Sequence, residues 1–297
     1  MLKHIETALL DIAYEEHGEA SGWPVVLLHG FPYDIHAYDE VTPRLTAQGA
    51  RVITPYLRGY GPTRFRSPET VRSGQQAALG ADLLALLDAL HIERALLGGY
   101  DWGGRAACVV AALYPERARA LVSVNGYNIQ NIAASAQPAD PEKEYRMWYQ
   151  YYLHGERGRA GLTENRRAFC RLLWSLWSPT WRFSDSTYAQ SAAAFDNADF
   201  VDVVVHSYRH RYALVEGDPQ FDAMERRLAA TPPITVPTIT LEGDADGVAP
   251  VGGRLANAQR FTARHENRIV ANAGHNLPQE APEAFAAAVL DVNAWTA

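Results

Sequence analysis

The chain has 297 residues, 47% of them hydrophobic and 21% charged, which is enough to bury a large core. Its formal net charge of −7 argues against a nucleic-acid-binding protein, which would need a basic face. It has only two cysteines, a polar N-terminus, and no segment near the roughly 20 apolar residues of a membrane span. These features predict a cytoplasmic protein that binds neither membrane nor nucleic acid.

Strands and helices are predicted to alternate over the first 125 residues. In chain order, the pattern predicts strands at 24–28 and 52–54, a helix at 73–91, a strand at 95–97, a helix at 105–114 and a strand at 120–124. Such alternation is typical of an α/β protein with a mostly parallel sheet covered by helices on both faces.

The middle third of the chain has a different character. From 132 to 231 the alternation fades, aromatic residues become frequent, and 142–153 and 164–177 read as helices. Strands return at 238–241 and 268–270, and a helix is predicted at 282–292. We therefore predict a core formed by 1–131 and 232–297, with a helical insertion at 132–231.

A strand-turn-helix sequence, Gly-Gly-Tyr-Asp-Trp-Gly-Gly at 98–104, carries the clearest chemical signal. It has the arrangement of a nucleophile elbow, whose usual form is G-x-S-x-G, but its central residue is Asp101. A carboxylate there can attack carbon and form a covalent ester. The competing interpretation is a turn in which Asp101 only caps a helix.

Two further segments complete a catalytic triad in the chain order nucleophile, acid, histidine. Asp244 and Asp246 follow the strand at 238–241, and His275 follows the strand at 268–270. We favour Asp246 as the acid, because Asp244 has the position of a turn former. His275 would take a proton from water while Asp246 stabilises its imidazolium.

The loop after the first predicted strand reads His-Gly-Phe-Pro at 29–32. In this arrangement the backbone N–H of Phe31, together with that of Trp102, is expected to form the oxyanion hole. For His29 we favour a structural role in which the ring bonds to backbone.

Together these motifs resemble the epoxide hydrolases of the α/β-hydrolase superfamily and the related dehalogenases. The resemblance covers nearly the whole chain and rests on His-Gly-Phe-Pro at 29–32, Leu-Arg-Gly-Tyr-Gly at 57–61, the elbow at 98–104, Gly-Asp-Ala-Asp at 243–246 and Gly-His at 274–275. It implies the α/β-hydrolase fold, with the helical insertion as a cap. Only the aspartate in the elbow is specific to this branch, since the other motifs mark the fold.

The resemblance also implies two cap tyrosines that bind and protonate the epoxide oxygen. The Tyr-Gln pair that usually supplies the first is matched at Tyr149, although Tyr151 and Tyr152 are close competitors. The Tyr-Arg pair that usually supplies the second is matched at Tyr208. A phenol suits this role, because an alkoxide is a poor leaving group without an acid.

The implied reaction is hydrolysis of an epoxide to a 1,2-diol, without metal or organic cofactor. The aromatic insertion predicts an apolar pocket for a small aryl or alkyl epoxide, with water as second substrate. A homodimer is only a generic expectation.

Two other functions are weighed against this prediction. A haloalkane or haloacid dehalogenase could use the same aspartate and histidine. However, haloalkane dehalogenases usually have asparagine where this chain has Phe31, and fluoroacetate dehalogenases usually have arginine where it has Trp102; Arg105 does resemble their second arginine. A binding protein without catalysis has no need for Asp101, Asp246 and His275 together.

Overall fold

The computed structural model describes residues 2–249, 251–252 and 255–296, with only the backbone described at 255–256. Within these residues the chain builds one sheet of nine strands, flanked by helices. The strands are β1 (Leu2–Glu6), β2 (Leu10–His17), β3 (Trp23–Leu28), β4 (Ala50–Pro55), β5 (Arg64–Phe65), β6 (Ala95–Gly99), β7 (Ala118–Val124), β8 (Thr238–Gly243) and β9 (His265–Val270).

The strand order is β1-β2-β4-β3-β6-β7-β8-β9, and β5 pairs with β2. The pairs β4–β3, β3–β6, β6–β7, β7–β8 and β8–β9 are parallel. The pairs β1–β2, β2–β4 and β2–β5 are antiparallel. The sheet is therefore mostly parallel, as predicted. The central strands β3, β6 and β7 are almost fully buried, which explains their continuous apolar sequences.

Twelve α-helices connect or cover the strands in the described part of the chain. They are α1 (Val41–Thr46), α2 (Gln76–Ala89), α3 (Asp101–Leu113), α4 (Pro141–Arg146), α5 (Trp148–Tyr152), α6 (Glu156–Glu164), α7 (Arg166–Trp177), α8 (Asp185–Ala192), α9 (Phe200–His210), α10 (Asp222–Ala229), α11 (Leu277–Glu280) and α12 (Pro282–Ala294). Helix α3 packs on α2 and on the central strands, and α12 packs against α1. None of these helices is long and apolar enough to cross a membrane.

The predicted elements are all present, with shifted ends. Helix α3 begins at Asp101 rather than at residue 105, because the glycines that follow Asp101 belong to its first turn. The predicted helix at 142–153 is divided into α4 and α5 at Met147. The sequence pattern missed the β1–β2 pair, since β1 is mostly exposed and lacks an apolar face that alternation could reveal.

Between β7 and β8 the described chain contains helices and loops but no strand. Residues 132–231 lie within this stretch, and side chains of the stretch contact the loop after β3. The indole Nε1 of Trp174, for example, donates a 2.7 Å hydrogen bond to the carbonyl oxygen of Pro32. This bond fixes α7 to the loop that follows the carboxyl end of β3.

Candidate active site

Asp101 lies in a sharp turn between β6 and α3, with a backbone φ of 50°. Two glycines make this turn sterically feasible. A Cβ on Gly103 would lie 2.0 Å from the carbonyl oxygen of Leu28, and a Cβ on Gly99 would lie 2.6 Å from the carbonyl carbon of Gly103. Helix α3 can approach β3 this closely only because these positions lack side chains, and the close approach sets the direction of the Asp101 side chain.

The Asp101 carboxylate is nearly buried, with 12% of its side chain exposed. Its Oδ1 accepts a 2.8 Å hydrogen bond from the backbone N–H of Phe31, and its Oδ2 lies 3.6 Å from Nε2 of His275. Burial by itself would raise the pKa of Asp101, but His275, Arg211 and the Phe31 N–H outweigh it, and the pKa is lowered. Asp101 is therefore an anion. Its Oδ1 is fixed by the hydrogen bond from Phe31, whereas its Oδ2 faces His275 without a hydrogen bond.

His275 lies between two carboxylates. Its Nδ1 is 2.9 Å from Oδ2 of Asp246, while Nε2 faces Asp101 and has no hydrogen-bond partner in the described part of the chain. Burial lowers the pKa of His275, but Asp246 and Asp101 raise it more strongly, to about 10. The imidazole is therefore protonated at neutral pH while Asp101 carries its charge.

Asp246 is held by three donors besides the histidine. Its Oδ1 accepts the backbone N–H groups of Val248 and Ala249 at 2.7 and 3.0 Å, and its Oδ2 accepts from the Asn125 amide at 2.9 Å. Burial opposes the charge of Asp246, but His275 and these donors lower its pKa. Asp244 is exposed instead and accepts the backbone N–H of Asn272. Of the two candidate acids, only Asp246 contacts the histidine.

The two expected oxyanion-hole residues are adjacent. The Phe31 N–H already contacts the Asp101 carboxylate, and Trp102 is the second residue of α3, where a helix leaves its N–H groups without intrahelical partners. The rings of Phe31 and Trp102 are stacked with centroids 5.7 Å apart. His29 is structural in this arrangement, because its ring nitrogens contact the carbonyl of Gly30 and the N–H of Leu57.

Tyr149 of α5 packs against Tyr208 of α9, and Tyr208 in turn packs against Phe31 and Trp102. Their ring centroids are 5.3 Å apart, and the Tyr208 ring lies 5.3 Å from Phe31 and 5.9 Å from Trp102. Burial raises the pKa of Tyr149 to about 12, with a further contribution from the Asp101 charge. Burial also raises the pKa of Tyr208, whose hydroxyl has no hydrogen-bond partner among the described residues. Both groups are therefore neutral phenols beside an anion.

The two competing tyrosines lie elsewhere. Tyr151 is 38% exposed, and its hydroxyl accepts from Tyr212. Tyr152 stacks on Phe169 with centroids 5.7 Å apart. Of the three candidates, Tyr149 is the one that packs against Tyr208.

Residues 24–282 match the family described as alpha/beta hydrolase fold. The chain belongs to this family. Among solved structures, a candidate epoxide hydrolase from Klebsiella pneumoniae is 46% identical, with a TM-score of 0.97 and coverage of 99% of this chain and 97% of that one.

Two relatives found by sequence similarity are named for different activities, one as an epoxide hydrolase and the other as a haloalkane dehalogenase. Epoxide hydrolase B of Mycobacterium tuberculosis is 32% identical over 142 residues, and the match covers 43% of this chain and 39% of that protein. A haloalkane dehalogenase of Psychrobacter cryohalolentis is 26% identical over 96% of this chain and 88% of its own length. The chain thus spans well under half of the first relative's length and most of the second's.

Three residues around the cluster of Asp101, Asp246 and His275 were missed by the sequence patterns. Asn125 holds Asp246, and the hydroxyl of Ser178 accepts the backbone N–H of His275 at 3.1 Å. Glu280 accepts the backbone N–H groups on both sides of His275, from Gly274 at 2.7 Å and residue 276 at 3.0 Å. None of the three has a periodic signal, although Asn125 directly follows the central parallel strand β7, a place where ligand-binding residues collect.

A cavity of about 410 Å³ lies beside this site. Its wall includes Met147, which contacts the Tyr149 hydroxyl, and Val248, whose N–H holds Asp246. Charged side chains also line it, among them Arg105 and Lys143. The space next to the site therefore has a lining of mixed polarity.

Proposed function

We propose that this α/β hydrolase is an epoxide hydrolase that opens an epoxide to a vicinal diol through a covalent ester on Asp101. The observation that carries the proposal is a carboxylate in the nucleophile elbow with two neutral phenols beside it and a histidine behind it. The residues assigned to the reaction are Asp101, Asp246, His275, Tyr149 and Tyr208, with the backbone N–H groups of Phe31 and Trp102.

In the first step, Asp101 attacks a ring carbon of the epoxide. Its Oδ1 is held by the Phe31 N–H, so Oδ2 is the oxygen that forms the new C–O bond. The epoxide C–O bond breaks, its electron pair stays on the epoxide oxygen, and a phenol of Tyr149 or Tyr208 donates the proton. The product is a hydroxyalkyl ester on Asp101 and a phenolate.

The second step requires neutral His275. Once Asp101 is an ester, the histidine has lost one of the two anions that hold its proton, and the proton can pass to the phenolate. Neutral His275 then takes a proton from water, and the hydroxide attacks the ester carbonyl carbon. Oδ1 becomes the oxyanion and is stabilised by the Phe31 and Trp102 N–H groups. The imidazolium of His275 gives its proton to the departing alkoxide oxygen, so the diol leaves with the former Oδ2 of Asp101. The water oxygen remains on Asp101, whose new carboxyl group returns its proton to His275 and restores the carboxylate.

We further propose that residues 132–231 form a cap over residues 1–131 and 232–297, because both tyrosines come from that segment. The abundance of aromatic groups around Asp101 favours a small apolar epoxide. Two buried free cysteines agree with a cytoplasmic location, and a homodimer remains the generic expectation.

A dehalogenase is the second candidate. The indole Nε1 of Trp102 is buried without a hydrogen-bond partner in the described part of the chain, and it could donate to a departing halide. In that reaction Asp101 displaces the halide from carbon, and His275 hydrolyses the same kind of ester. The phenols of Tyr149 and Tyr208 would then have no role as acids, because a halide leaves without being protonated.

The test compares both reactions on purified protein. Styrene oxide, fluoroacetate and a bromoalkane are incubated separately, and diol and halide are measured over the same period. Diol without halide is the expected result. Halide without diol would overturn the proposal in favour of a dehalogenase.

The route is tested by one turnover in ¹⁸O-labelled water with enzyme in excess. The expected diol carries unlabelled oxygen from Asp101, and the label appears in the Asp101 peptide. Label in the first diol would mean that water attacks the epoxide directly. The Asp101→Asn variant should form no ester, whereas Asp244→Asn, an exposed aspartate of the Asp246 loop, should keep its activity.

A further inference from the structure

Arg211, at the end of α9, lies directly over the candidate site. Its guanidinium carbon is 4.7 Å from the ring centroid of Tyr208 and 5.8 Å from that of Trp102. Its Nη2 is buried and has no hydrogen-bond partner among the described residues. A cation on an aromatic face in a desolvated place interacts strongly with any negative charge nearby.

Three of the other arginines that lie over aromatic rings in the described chain each have a fixed acidic partner. Arg58, Arg72 and Arg171 also lie over aromatic rings, but each forms an ion pair with an aspartate. Their positive charge is thus balanced by a fixed partner. The acidic groups near Arg211 include those of the site itself. It lowers the pKa of Asp101, and it also lowers the pKa values of Tyr149 and Tyr208 against the larger effect of burial.

The proposed first step moves a negative charge through this region. Before attack the charge is on the Asp101 carboxylate; after the ester forms and a phenol gives its proton to the epoxide oxygen, the charge is on a tyrosine. A buried phenolate is costly unless a cation is close. The guanidinium is next to Tyr208 in both states and does not need to move.

We propose that Arg211 is a positioning residue for this charge, stabilising it first on Asp101 and then on the Tyr208 phenolate, so that the phenol can act as an acid. This inference rests on the proposed epoxide hydrolase reaction. It concerns the alkylation step, and it predicts that substrate binding and ester hydrolysis depend much less on Arg211.

The test measures ester formation and ester hydrolysis separately, by quenched-flow mass spectrometry of the Asp101 peptide with styrene oxide. Arg211→Met should slow ester formation by about 10- to 100-fold, the range expected for losing a desolvated cation at a developing anion. Arg211→Lys keeps the charge and should restore most of the rate. Arg171→Met removes a stacked arginine whose charge is already paired and should match the wild type.

A double-mutant cycle with Tyr208→Phe separates this role from simple packing. If Arg211 acts through the Tyr208 phenolate, Arg211→Met should have little further effect in the Tyr208→Phe background. The inference would be overturned if Arg211→Met slowed ester formation equally in both backgrounds. It would also be overturned if Arg211→Met slowed ester formation only with epoxides that carry a carboxylate, because Arg211 would then be a substrate-binding group. Should Arg211→Met not fold, Arg211→Gln supports the same comparison.

Failure of the inference is distinguishable from failure of the proposed function. If wild-type protein forms an ester on Asp101 at the same rate as Arg211→Met, only the role of Arg211 is refuted. If wild-type protein forms no ester with any epoxide, the reaction itself is refuted together with it.

Discussion

The pKa of His275 should fall when Asp101 is replaced by asparagine. In the wild type, Asp246 and Asp101 together raise this pKa to about 10 despite burial. Asparagine has nearly the same shape, and its amide oxygen can keep the hydrogen bond from Phe31. Its NH₂ group then faces Nε2 of His275, and a neutral imidazole can accept a hydrogen bond there. The substitution removes one anion and favours the neutral histidine.

The size of the effect follows from the distance between the two groups. Unit charges 3.6 Å apart interact by about 1 kcal/mol at the dielectric constant of water and by about 5 kcal/mol at an effective value near 20. Since about 1.4 kcal/mol corresponds to one pKa unit, the pKa should fall by roughly one to three units. The same change occurs, transiently, when Asp101 becomes an ester in the proposed reaction.

The assay is an NMR titration of protein labelled in its histidine rings, with the His275 signal assigned by its absence from a His275→Gln variant. Asp244→Asn is the control, because this aspartate lies on the same loop but bonds to Asn272 rather than to the histidine. The control should leave the His275 pKa unchanged. A value still near 10 in Asp101→Asn would show that Asp101 is not what holds the proton.

Further predictions concern the turn, the triad support and a buried ion pair. Gly103→Ala places a Cβ 2.0 Å from a backbone carbonyl oxygen of β3. The substitution should lower the free energy of unfolding, measured by urea denaturation, by more than about 3 kcal/mol, or prevent folding. Gly155→Ala is the control and should change this free energy little, because its Cβ meets no atom within 4 Å. Asn125→Gly removes the amide that donates to Asp246, and glycine can adopt the backbone φ of 65° found at this position. In single-turnover kinetics the variant should hydrolyse the ester about tenfold more slowly or worse, because a hydrogen bond to a charged group contributes about 1.5–3 kcal/mol. Arg58→Met leaves Asp82 without its two guanidinium bonds, and urea denaturation should show a loss of about 3–5 kcal/mol; an unchanged midpoint would contradict a structural role for this pair.

The amino-acid sequence by itself determined the fold class and the order of the chemical motifs. Apolar segments followed by glycines predicted the central strands and the elbow, because only a strand-turn-helix with small residues accommodates Asp101 at a positive φ. The order of Asp101, Asp246 and His275 then followed from local motifs. The predicted fold class is confirmed, while the catalytic roles of the three residues stay predictions; both depend on a few consecutive residues at a time.

The choice of Tyr149 depends on the tertiary structure as well as on a motif. Tyr149, Tyr151 and Tyr152 lie within one short helix, and neither helical periodicity nor composition separates them. Packing against Trp177 and Tyr208 does, since it buries Tyr149 while Tyr151 stays exposed. Which face of a short aromatic helix points inward is decided by its neighbours.

Only the tertiary structure revealed Asn125, Glu280 and Arg211. Asn125 reaches its partner across 121 residues of sequence, and Arg211 stacks on Trp102 from the end of a helix far along the chain. Single polar residues of this kind leave no periodic signal in the sequence. Their functions come from the low dielectric and fixed distances of a buried site, where one donor or cation changes the pKa of its neighbours, and those conditions exist only after the chain has folded.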